Sequence, residues 1–241
     1  MTTLKAHAKL TRSLRVVGVR HDGYHLLDAE LVALDLHDTL VVSEGHNRLE
    51  PENLVSRALA LAGRDAQVAL EKRIPVGAGL GGGSADAAAV LRWAGWSADP
   101  AVAAGAVVIG ADVPFCLVGG RARVTGVGEV VEPLPFEPLT FTLLTPPLHV
   151  ATPAVYEMWD RLGGPRNAVG PNDLEPAAIA LEPELARWRD RLGDATGQEP
   201  VLAGSGGTWF VEGEFEGDGL VVVHTVPAWG AAGPSTRNSR P

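Results

Sequence analysis

Residues 75–92, "PVGAGLGGGSADAAAVLR", place five glycines in the seven positions from Gly77 to Gly83 and then run into alanines. Glycine reaches positive φ without steric cost and lets main-chain N–H groups come close to a ligand. After the loop, Ala87, Val90, Leu91 and Ala94 fall at i, i+3, i+4 and i+7, one face of a helix that Ser84 is placed to cap. A glycine loop feeding a helix start gathers N–H donors at the positive end of a dipole, which is a site for phosphate. Two better-known phosphate loops compete for these letters. A P-loop needs a closing Lys-Ser or Lys-Thr pair, and the loop has none. The dinucleotide pattern G-x-G-x-x-G is met by Gly77, Gly79 and Gly82. However, the preceding "QVALEKRIPV" alternates apolar and charged residues and carries Pro75, unlike the apolar run of a central parallel strand.

Phosphate chemistry needs a group that activates or orients an acceptor. Asp112 in "GADVPF" is read as lying just past a helix C-terminus, where the negative dipole end raises carboxylate basicity. A turn aspartate bonding its own backbone before Pro114 stands beside that reading. Lys9 in "AHAKL" is, by itself, a strand lysine. "HDGYH" sets His21 and His25 four apart, a metal spacing on a helix, but Asp22-Gly23 makes a turn there and argues against zinc. Tyr24 and His25 present flat rings able to stack on a base, or an ordinary aromatic pair at a strand start. "AGSGGT" approaches a nucleophile elbow, yet Ala203 replaces the first glycine and a strand follows instead of a helix, so Ser205 is not read as a nucleophile.

The elements that must position these residues read as α+β. Strands flank the Asp22-Gly23 turn, a helix runs from a cap near Asn53 to Gly63, and a strand at 66–74 leads into the glycine loop and its helix. A further helix ends at Gly110, residues 115–133 read as strands, and "TFTLLTPP" is a strand running into a break near Pro146, where a domain boundary is expected. Helices at 152–162 and 182–192 follow, then strands at about 199–203, 207–212 and 220–225. The tail 230–241 has no apolar pattern and reads as disordered. With 20 basic against 29 acidic residues, a net of −9, the chain is unsuited to wrapping nucleic acid, so a phosphorylated ligand must be drawn in by a local cation cluster. One cysteine, Cys116, set in "VPFCLV", reads as a core residue in a reducing compartment. No apolar run approaches the ~18 residues of a membrane span, and the expected place of work is the cytoplasm.

Taken in order, "AKL", "DGYH", "ENLVSRA", "KRIPVGAGLGGGSADAA", "IGADVPF", "GVGEVVEPL", "TPAVY", "NDLEP" and "AGSGGTWF" resemble the GHMP kinase superfamily. Through "DGYH" together with "GADVPF" they resemble its branch acting on a cytidine-diphosphate alcohol. The resemblance implies a two-domain GHMP kinase fold, with a ribosomal protein S5 domain 2-like N-terminal half, residues 1–145, that binds ATP. A shortened α/β sandwich half, residues 146–229, faces it across the active-site cleft. ATP is implied as phosphoryl donor with Mg²⁺ as its companion, metal ligands unknown, and CDP-methylerythritol as the small-molecule substrate. Pro75, Gly77, Gly79, Leu80, Gly81, Gly82, Gly83 and Ser84 would hold ATP. Asp112 would be the catalytic base and Lys9 its charge partner. Tyr24 and Tyr156 would sandwich the cytosine, His25 would read its edge, and Gly204, Ser205 and Gly206 would approach the phosphate and erythritol end. The family's first motif usually reads Pro-Ala-Lys, a hydrophobe and Asn; here it is His7-Ala8-Lys9-Leu10-Thr11. Another GHMP kinase and a catalytically idle nucleotide binder remain alternatives. A monomer or homodimer without membrane or nucleic-acid partners is expected.

Overall fold

The Asp22-Gly23 turn organises the N-terminal half. In a computed structural model of the chain, which describes residues 1–164 and 170–230, Gly23 takes φ 86° and Arg20 N donates to Tyr24 O at 2.8 Å. This closes a long antiparallel hairpin of β1 (Thr2–Val19) and β2 (His25–Ser43). One end of β2 pairs with β3 (Gln67–Glu71) and the other with β4 (Arg121–Gly126), which pairs with β5 (Val130–Leu134). Helices α1 (Leu54–Leu61), α2 (Gly82–Trp93), α3 (Pro100–Ala103) with a following 3-10 turn (Ala104–Val108), and α4 (Val113–Val118) complete this half. The small side chains of Ala85, Ala87, Ala88 and Ala89 let α2 lie close to its neighbours, and all four are buried. Cys116 is in the core, where burial pushes its thiol up to about 12.

The second sheet is also antiparallel, in the order β7 (Val201–Leu202), β8 (Trp209–Glu212), β6 (Thr140–Leu144) and β9 (Leu220–His224). With it go α5 (Thr152–Arg161), α6 (Glu175–Leu181) and α7 (Glu184–Thr196), the last burying Leu185 and Leu192. The change of sheet falls between Leu134 and Thr140. The expected disordered tail lies outside the described residues, Gly230 excepted.

Three expectations are corrected. "VPFCLV" is α4, not a strand, because Pro114 in the first turn is pre-set for helix entry. Asp112 does follow the 3-10 turn that ends at Val108, but it is the N-cap residue of α4, so the nearer dipole end is the positive one. Ser84 does not cap α2: the cap position is Gly81, at φ 68°, with no side-chain bond. Helix α6, entered through Pro176, had no counterpart in the sequence reading.

A buried seam joins the halves. Leu14 N donates to Pro171 O and Asp173 N to Leu14 O, both at 2.9 Å, while the Asp173 carboxylate accepts from Val16 N at 3.0 Å and from Arg15 at 2.7 Å. Beside it Asn172 Nδ2 donates to Leu202 O at 2.8 Å and Gly204 O at 2.7 Å, and its Oδ1 accepts from Leu174 N at 2.9 Å. Beneath the glycine loop, Lys72 bridges two aspartates. Fully buried Asp38 accepts from the Lys72 ammonium and from Ile74 N at 2.8 Å, and Asp86 accepts from Lys72 at 2.6 Å. Burial pushes the Asp86 carboxyl up to about 6 against the opposing pull of Lys72.

Asn172→Ala orphans three buried main-chain groups and should lower stability by about 2–4 kcal/mol, seen as a shifted urea midpoint at unchanged slope. Asp86 supplies a pH test. Between pH 6 and its ordinary 3.8 the folded chain holds a proton that the unfolded chain has released, so the group's contribution to stability grows as pH falls through that window. Asp86→Asn should remove that part of the slope, and an identical stability–pH profile for wild type and variant would contradict the assignment.

Candidate active site

A cleft of about 1140 Å³ runs between the two halves, lined from both. The loop positions Pro75, Gly77, Gly79, Leu80, Gly81, Gly82, Gly83 and Ser84 all line it, as do Lys9, Asp112, Tyr24, His25, Tyr156, Gly204, Ser205 and Gly206. The sequence separates these residues by up to two hundred positions, and the seam between β1 and the second half brings them together.

The loop's glycines answer to close approach as well as to turning. Gly77, Gly79 and Gly81 take φ of 72°, 77° and 68°. A methyl at Gly79 would sit 2.5 Å from Ala203 O and 2.7 Å from Gly206 O, so the loop and the second glycine turn pack backbone on backbone. Thr208 N donates to Ala78 O at 3.1 Å and ties the two together. At the start of the twelve-residue α2, with no capping side chain, the N–H groups of Gly82, Gly83 and Ser84 lie at the positive dipole end. The Lys72 ammonium is 3.3 Å from where a Gly82 methyl would stand, adding a second positive element.

Lys9 reaches the same place from β1. Its N–H donates to Leu80 O at 3.0 Å, and a methyl at Gly81 would meet its Cγ at 2.7 Å. The ammonium donates to Thr11 Oγ1 at 3.0 Å and lies 3.5 Å from Asp112 Oδ2. The lysine side chain is 7% exposed and that of Asp112 is 39%, so the pair has a buried cation and a carboxylate open to solvent. Gly128, in the β4–β5 turn, closes against Ala111 O and leaves no room there for a side chain. Lys9 and Lys72 are the cleft's lysines in a chain of net −9, the first paired with Asp112 and the second with Asp38 and Asp86.

Aromatic groups from both halves line the cleft too. Exposed Tyr24 sits in the hairpin turn under the Arg20 guanidinium, 5.6 Å from the ring centre. The His25 ring is 4.7 Å from Tyr156 at a 31° tilt and 5.4 Å, edge-on, from Trp159. Its Nε2 lies 2.9 Å from Asp160 Oδ1. Tyr156, Trp159 and Asp160 stand at i, i+3 and i+4 on α5 and so share one face. Burial raises the Tyr156 phenol well above its usual range. Ser205 bonds Thr152 at 2.7 Å, fixing the second glycine turn to the start of α5.

Among the cleft residues that had no role in the sequence reading are Lys72, Asp86 and Asp160. Lys72 stood only as one of the charged residues alternating in "QVALEKRIPV". Asp160 carried a usable signal, its i+4 spacing from Tyr156.

The profile of the GHMP kinases N terminal domain matches residues 53–120. A protein of Paracoccus denitrificans (strain Pd 1222), "4-diphosphocytidyl-2-C-methyl-D-erythritol kinase", is 39% identical over 94% of both chains. One of the same name from Cereibacter sphaeroides (strain ATCC 17025 / ATH 2.4.3) is 37% identical over 87% of this chain and 88% of its own. The crystal structure of a 4-(cytidine 5'-diphospho)-2C-methyl-D-erythritol kinase superposes with TM-score 0.74 at 37% identity, covering 89% of this chain and 91% of that one. A mevalonate kinase, 12% identical over 88% of this chain and 91% of its own, shares the fold at TM-score 0.56. Near-complete coverage at such identity leaves one assignment: the chain belongs to the 4-diphosphocytidyl-2-C-methyl-D-erythritol kinase family within the GHMP kinases.

Proposed function

We propose that the protein transfers the γ-phosphoryl group of ATP to the 2-hydroxyl of 4-diphosphocytidyl-2-C-methyl-D-erythritol, in the cytoplasm and as a step of isoprenoid synthesis. The observation that carries this reading is a single cleft holding an anion-binding glycine loop, a Lys–Asp pair and an aromatic wall. Asp112 accepts the hydroxyl proton as that oxygen attacks the γ-phosphorus and the bond to the β-phosphate oxygen breaks, releasing ADP. Lys9 keeps the carboxylate in place and faces the charge that builds on the transferring group. The N–H groups of Gly82, Gly83 and Ser84 hold phosphate oxygens without needing side chains. Tyr24 and Tyr156 stack on the cytosine, and the Gly204–Gly206 turn receives the diphosphate and erythritol end.

Among the described residues no three His, Cys, Asp or Glu side chains converge as a metal cage. That fits Mg²⁺, which commonly arrives on a triphosphate and keeps water and phosphate oxygens as ligands. When bound there it would neutralise phosphate charge.

Asp112→Asn preserves shape but removes the base, so kcat should fall by roughly 10²–10⁴ with substrate affinity kept. Lys9→Met should also lower kcat, and the double variant should be little worse than the poorer single one because the two act as a unit. A turn-residue role for Asp112 would give the opposite pattern: reduced melting temperature and unchanged turnover per folded molecule. ADP release with the cytidyl alcohol, measured beside thermal unfolding, separates the two.

Tyr156→Ala should remove a stacking platform of about 1–3 kcal/mol, raising KM for the cytidyl substrate and sparing that for ATP. Equal effects on both KM values would mark structural damage.

A further inference from the structure

The reading of His25 at the cytosine edge leaves open what fixes the tautomer of its ring. The His25 ring is nine-tenths buried, with Tyr156 against it and Trp159 edge-on. Its Nε2 lies 2.9 Å from Asp160 Oδ1, and a carboxylate can only accept. In neutral His25 the single ring proton must then be on Nε2. Nδ1 has no hydrogen-bond partner among the described residues, so it is left as an acceptor in a residue that lines the cleft.

We propose that Asp160 is a positioning residue that fixes His25 in the Nε2–H tautomer, making Nδ1 an acceptor that selects cytosine over uracil. Cytosine presents an amino donor at C4, where uracil presents a carbonyl acceptor, and two facing acceptors repel. Without the carboxylate the proton can move to Nδ1, and the same ring then donates to uracil's oxygen. This rests on the reading of Tyr24, His25 and Tyr156 as a base site. Asp160 itself is more than half exposed, so its removal leaves the core intact.

The test titrates CDP and UDP calorimetrically into the wild type, Asp160→Ala and Asp160→Glu, with ¹⁵N spectra of the His25 ring in each. Wild type should prefer CDP about tenfold or more, the worth of one matched base contact. Asp160→Ala should bring the ratio to about threefold or less and show mixed tautomers, with ATP affinity and melting temperature unchanged. Asp160→Glu should restore both the preference and the Nε2–H signal. An unchanged ratio in Asp160→Ala, or an Nδ1–H ring in the wild type, overturns the role of Asp160 and spares the base site. A wild type that binds neither nucleotide overturns the base site itself, and this inference with it.

Discussion

A lysine ammonium buried at the junction of two sheets constrains the rest of the site. Removing a cation from water costs several kcal/mol unless it is paired and hydrogen-bonded. Lys9 meets that condition through the Thr11 hydroxyl and the Asp112 carboxylate. The surroundings must also leave it room, since the stem runs under Gly81 and the ammonium lies 3.3 Å from the space a Gly204 methyl would fill. The glycines therefore have two tasks. They free N–H groups for an anion, and they let three backbone segments converge on one charged side chain. The two demands reinforce each other, because a Cβ at Gly81 would displace the cation as well as forbid the loop's φ.

Thr11 shows how tolerant that arrangement is of its third member. Where the family usually carries an asparagine, the shorter threonine presents one oxygen to the ammonium and, being β-branched, suits the strand it occupies. The amide donor is lost, yet Lys9 needs only acceptors. The substitution therefore removes a group able to orient Asp112 or substrate without leaving the cation unsatisfied.

The legible part of the molecule was the part written in backbone requirements. Asp22-Gly23 demanded a hairpin and Gly77–Gly83 a tight turn of main chain, and both are formed. What the sequence hid was set by tertiary context. "VPFCLV" has strand-like composition, but it is buried on all sides as a short helix, where periodicity cannot separate the two. Without α4 in view, Asp112 was referred only to the helix before it and not to the one it begins. Ser84 looked like a cap because serine usually is one, whereas a left-handed glycine starts α2 and leaves its first N–H groups free. Lys72 and Asp86 are unremarkable in an alternating strand and an alanine-rich helix. Only the fold shows that they meet over fully buried Asp38. The role proposed for Lys9 came from resemblance alone, since by itself it read as a strand lysine, whereas "GADVPF" had already marked Asp112 as a candidate.

The two ends of the cleft are built from different material. The glycine-loop end, where phosphate is proposed to sit, is main chain, locked by Gly79 against Ala203 and Gly206 and by the bond from Thr208 to Ala78. Its donors cannot be exchanged by substitution; they can only be blocked. The aromatic end is side chain, drawn from an exposed turn and one face of α5, and none of Tyr24, His25, Tyr156 and Asp160 bears on the loop's geometry. The coupling between the ends runs through the Gly204–Gly206 turn, which abuts the phosphate loop at Gly79 and is bonded to α5 through Ser205 and Thr152. The same turn also lies against Lys9, whose ammonium is 3.3 Å from the space a Gly204 methyl would fill, so one stretch of main chain touches the glycine loop, the buried cation and α5.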